Sequence, residues 1–125
     1  MNSKEFIAKL ERAISELGGN SEFMQYYGLN QEDIEASFNH PNYPRTREDL
    51  APDQALVDAL GSFKQVLRER CGSDMDVMRY VYHFSDHGIF LAMDAYYSSW
   101  DSPSFDNDWY EVRPVEVTKT EYHPL

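Results

Sequence analysis

The sequence predicts an α+β domain in which N-terminal helices pack on one face of a three-stranded antiparallel β-meander. Three observations predict it. Apolar residues recur at helical spacing through the first half of the chain. From Asp76 onward the spacing changes to every second residue. Ser85-Asp86-His87-Gly88, a turn signal, separates two such alternating runs. Helices first and strands after are the pattern of an α+β fold. The length of 125 residues suits a single domain spanning 1–125, mainly helical over 1–75 and a sheet over 76–125.

The elements follow in order. Phe6, Leu10, Ala13, Ile14 and Leu17 form one stripe of a first helix, which Gly18-Gly19-Asn20 stops. Ser21 begins a short turn through Phe23, Met24, Tyr26 and Tyr27, closed by Gly28. Asn30 caps the next helix, with Gln31, Glu32 and Asp33 in its first turn and Ile34 and Phe38 facing the core. Residues 39–51 contain Pro41 and Pro44 and form a loop. Pro52 opens the strongest stripe of the chain, Leu56, Leu60, Phe63 and Leu67, and Gly72 ends that helix after Arg68 and Arg70. Val77–Phe84 and Ile89–Tyr97 read as a hairpin, and Trp109–Lys119 as a third strand bulged or edged at Pro114. The first strand offers the core either Met78, Tyr80, Tyr82 and Phe84 or Val77, Arg79, Val81 and His83. If Ile89, Leu91 and Met93 face the helices, Phe90, Asp94 and Tyr96 face away. An aromatic second face would then be exposed, covered by 39–51 and the tail, or covered by another subunit.

Charge is the least ordinary property. Eleven Lys and Arg stand against 22 Asp and Glu, a formal net charge of −11. Between Arg12 and Arg45 there is no basic residue, only Glu16, Glu22, Glu32, Asp33 and Glu35. Between Arg79 and Arg113 there is again none, only Asp86, Asp94, Asp101, Asp106, Asp108 and Glu111. These two windows hold the whole net excess. Such a surface repels nucleic acid and anionic lipid and attracts basic protein surfaces; the same charge also keeps a tyrosine-rich chain in solution. No apolar run is long enough to cross a membrane, and since Met1–Phe6 lack the apolar stretch of a secretory signal, none is expected. Cys71, the single cysteine, fits a reducing cytoplasm.

Chemical motifs are sparse. His83, Asp86, His87 and Asp94 are the one cluster with metal or acid–base character, but the His-x-x-x-His spacing belongs to a helix and here falls on a strand and turn. Asp101, Asp106 and Asp108 lack the spacing and the glutamate of a calcium loop. Ser98 and Ser99 lack a nucleophile elbow, Cys71 lacks an identifiable base, and no glycine-rich phosphate loop exists. No cofactor is expected.

Asp94-Ala95-Tyr96-Tyr97-Ser98-Ser99-Trp100-Asp101, then Glu111-Val112-Arg113-Pro114 and Val117-Thr118-Lys119-Thr120-Glu121-Tyr122, resembles the C-terminal part of small acidic proteins of bacteriophages and prophages. The resemblance covers the last third of the chain and carries over no functional residue. It implies a host-takeover factor that blocks CRISPR effectors, restriction systems or polymerases, in some cases by imitating the charge of DNA.

The expectation is therefore a non-enzymatic, acidic protein-binding module in the host cytoplasm that inhibits a basic, nucleic-acid-handling or defence protein, with no direct contact to nucleic acid or membrane. Tyr96, Tyr97, Trp100 and Trp109 would anchor the partner, because large rigid aromatics dominate interface energetics. Asp94, Asp101, Asp106, Asp108 and Glu111, with Glu32, Asp33 and Glu35, would steer it. Two other classes fit the sequence: an assembly protein that forms homo-oligomers through the aromatic sheet face, and a small metal-dependent enzyme using His83 and His87.

Overall fold

In the computed structural model, residues 2–72, 76–96, 104–106, 108–118 and 120–125 are described. The architecture is α+β. Helices α1 (Ser3–Leu17), α2 (Asn20–Phe23), α3 (Gln31–Phe38) and α4 (Ala51–Leu60) accompany an antiparallel sheet. Its strands are β1 (Gly28–Leu29), β2 (Phe63–Cys71), β3 (Val77–Phe84), β4 (Ile89–Tyr96), β5 (Ser104–Phe105) and β6 (Tyr110–Val112). The order is β1-β2-β3-β4-β5, and β6 also pairs with β4. The expected three-stranded meander is thus corrected to a sheet of six strands among the described residues.

The largest correction concerns residues 61–72. The stripe Leu56, Leu60, Phe63, Leu67 is helical in spacing, yet α4 stops at Leu60 and the chain continues as β2. Gly61 takes φ 72°, a conformation that L side chains resist. Asp86 of the β3–β4 turn then accepts a hydrogen bond from the Ser62 amide at 3.1 Å. A side chain from the hairpin turn therefore fixes the helix-to-strand junction. Beyond it, Phe63 pairs with Phe84 and keeps its place in the core, while a bulge between Gln65 and Leu67 turns Leu67 to the opposite face, beside Val81. Arg68 and Arg70 are strand residues, not the last turn of a helix, and Cys71 ends a strand. The expected third strand also contracts, from 109–119 to the three residues of β6.

Other elements form for the reasons their residues give. Asn2 caps α1 by accepting from the Glu5 amide at 2.8 Å, and Phe6, Leu10 and Ile14 are its buried stripe. Asn30 caps α3 by accepting from the Asp33 amide at 2.8 Å, and Ile34 is buried from it. Met78, Tyr80, Tyr82 and Phe84 of β3 turn inward with Ile89, Leu91, Met93 and Ala95 of β4, so the tyrosines of β3 belong to the helix side. Phe23 joins the layers: its ring lies 5.3 Å from Phe63, 5.2 Å from Tyr82 and 5.7 Å from Trp109.

The outer sheet face carries Arg79, Val81, His83, Phe90, Ala92, Asp94 and Tyr96, as the pairing register requires. Residues 39–49 are exposed and fold beside α3, where the Arg45 amide donates to the Ser37 carbonyl at 3.1 Å. Arg113 and Pro114 border a groove of about 310 Å3 on the outer face with Val66, Leu67, Val81 and Phe90. No described helix is long and apolar enough to cross a membrane.

Candidate functional site

The two acidic windows meet different fates. In the first, Glu32, Asp33 and Glu35 are exposed on α3, and Glu22 is exposed on α2. Glu35 borders a groove of about 630 Å3 between α3 and α4, with Phe38 and Leu50 as apolar lining and Asp58, Gln31 and Arg47 among its polar lining. Gln54 bridges the two helices. Its Nε2 donates to Gln31 Oε1 and to Asp58 Oδ1, each at 2.8 Å, while Gln31 Nε2 donates back to Gln54 Oε1 at 3.2 Å. Nearby, the Tyr26 hydroxyl donates to Asp53 Oδ1 at 2.8 Å. Burial, and then the bond to the Asp53 carboxylate, push the Tyr26 phenol up to about 12.

Three acids of the second window are engaged in structure. Asp86 holds the Ser62 amide. Asp94, 15% exposed, accepts from Arg79 Nε at 3.0 Å and Nη2 at 3.3 Å, and from the Tyr110 hydroxyl at 3.1 Å. The bond to Asp94 raises the Arg79 guanidinium still further above its ordinary range, and Arg79 also lies 5.9 Å from the centre of the Tyr110 ring. Burial, with Asp94 alongside, raises the Tyr110 phenol. Asp106 Oδ1 accepts from the Asp108 amide at 3.0 Å, a turn-forming bond. Asp108 and Glu111 are exposed.

The aromatic anchors divide as well. Trp109 is 6% exposed, edge-on to Phe23 and beside Tyr82, so it is a core residue rather than a contact anchor. Tyr96 is exposed on the outer face. Tyr97, Trp100 and Asp101 lie outside the described residues. The two histidines are parted by the sheet: His83 stacks on Phe90 with ring centroids 4.1 Å apart, whereas His87 packs 4.8 Å from Phe6 of α1. Among the described residues, no three His, Cys, Asp or Glu side chains are grouped to hold a metal.

Sequence reasoning missed Gln31, Gln54, Asp58 and Arg47 as neighbours of Glu35, because the pairing of α3 with α4 is tertiary. The Arg79–Asp94 pair had a local signal. A four-residue turn between Phe84 and Ile89 puts Arg79 opposite Asp94 once the hairpin register is followed. No protein family, curated protein or solved structure matches this chain.

Proposed function

We propose that this chain is an acidic protein-binding module that takes a basic partner at the α3–α4 groove. The observation that carries the reading is one concave surface in which, among the described residues, the acids Glu35 and Asp58 outnumber the single cation Arg47 beside the apolar Phe38 and Ala55, with Glu32 and Asp33 on the same short helix. A Lys- or Arg-rich helix or loop with one apolar anchor fits that chemistry. Proteins that handle nucleic acid carry such basic surfaces, so an inhibitor of a host nucleic-acid-handling or defence protein is the target class this charge suits best. The net charge of −11 would speed encounter and make it salt-sensitive.

The test is affinity capture from bacterial lysate with the tagged full chain, at low and high salt, followed by mass spectrometry and by titration of the purified candidate. The reading requires a defined basic protein that is retained at low salt, released as salt rises, and bound stoichiometrically when purified. Binding of an acidic protein, or binding indifferent to salt, would overturn it.

A further inference from the structure

Among the described residues, two parts of this chain complement each other. The first is the edge of β2. Among the described residues, β1 pairs only with Phe63 and Lys64, and the Tyr27 carbonyl reaches no further than the Gln65 amide. From Val66 to Cys71 no described strand covers that edge. An uncovered edge presents a row of backbone donors and acceptors ready for another strand. Val66 and Leu67 are exposed apolar residues there, followed by the exposed cations Arg68, which lies 5.5 Å from the centre of the Tyr80 ring, and Arg70.

The second part is the chain after β6. Val115-Glu116-Val117-Thr118 is rich in β-branched residues, which suit a pleated strand. Nevertheless it pairs with no described strand, and Val115 and Val117 are exposed.

We propose that Val115–Thr118 of a second copy of this chain adds as a strand to the β2 edge at Val66–Arg70. Charge decides the occupant. Two β2 edges laid against each other antiparallel about Glu69 set Arg68 opposite Arg70, a like-charge pair that disfavours edge-to-edge pairing. A strand carrying Glu116 reverses the sign of that contact. With Glu116 opposite Arg68, alternation puts Val115 and Val117 on the other face, one against Leu67 and the other against Glu69. This surface is separate from the α3–α4 groove, so the inference stands or falls independently of the proposed function. Two bodies of net charge −11 repel at low ionic strength, and association is therefore stronger at physiological salt, where the screening length is about 8 Å, than at low salt.

The experiment is sedimentation of the full chain across concentration at physiological salt, with hydrogen exchange on the same samples. The expected result is reversible self-association, with amides of 66–70 and 115–118 gaining protection together as it proceeds. R68E/R70E and E116R should each weaken association by about tenfold, and the three substitutions combined should restore it. Circular dichroism establishes that each variant is folded, and V117D offers an independent disruption should R68E/R70E fail to fold. A chain that stays monomeric, an oligomer indifferent to these substitutions, or protection of 115–118 already in the monomer would each overturn the proposal; the last would mean that the tail covers its own edge.

Discussion

Helix α3 and the sheet end of this molecule use their acids differently, although Asp108 and Glu111 of the sheet end are exposed as well. On α3, Glu32, Asp33 and Glu35 are exposed. At the sheet end, Asp86 fixes a helix-to-strand junction, Asp94 joins β3, β4 and β6, and Asp106 shapes a turn. An acid opposite a donor in a register-fixed position becomes structure, whereas an acid on the solvent face of a helix remains available to a partner. Net charge alone therefore does not tell which acids stay open to solvent, and the local donors do.

Substitutions sharpen that comparison. The largest stability loss should come from Asp94→Ala, which removes the acceptor of Arg79 and Tyr110. We expect about 2 kcal/mol in urea unfolding, below the cost of breaking a fully buried pair because Arg79 is 39% exposed. Asp86→Ala should cost about 1 kcal/mol, since the Ser62 amide loses its acceptor next to the constrained Gly61. At the helical end, Glu35→Gln and Asp58→Asn should each change stability by less than about 0.5 kcal/mol, as exposed surface substitutions do. A large destabilisation by either would erase the distinction between the two ends.

Tyrosine titration sharpens it in another way. Tyr26 and Tyr82 are both raised from 10.0 to about 12, chiefly by burial. The folded state thus holds these protons more tightly than the unfolded chain. The stability they contribute is complete below pH 10 and is lost as pH rises toward 12. Unfolding free energy should fall over that interval, and less steeply in Tyr26→Phe.

The elements that were legible in the sequence are those whose determinants are local. The α1 stripe, the Asn30 cap and the alternation of β3 and β4 each depend on residues a few positions apart, and each formed where the spacing put it. The segment 61–72 was not legible, because Leu56, Leu60, Phe63 and Leu67 satisfy a helix while the positive φ of Gly61 and the bond from the Ser62 amide to the Asp86 carboxylate, a contact across 24 residues, dictate a strand. The same reason hid β1, two residues that exist only because β2 lies beside them. Of the candidate site, the exposed acids of α3 were legible, but Asp58 and Gln54 enter the groove only through the packing of α4. Trp109 shows the converse: a large aromatic in an acidic stretch reads as an anchor until Phe23 and Tyr82 close around it.

The central claim is that position, not total charge, selects the binding surface. The most direct measurement compares two variants of identical net charge, E32Q/D33N/E35Q and D106N/D108N/E111Q, for affinity toward the basic protein captured by the wild-type chain. The account predicts that the first loses at least about tenfold in affinity, some 1.4 kcal/mol, while the second stays close to wild type apart from a slower association rate. Equal losses in both would mean that only the overall field matters, and a loss confined to the second would move the binding surface to the sheet end.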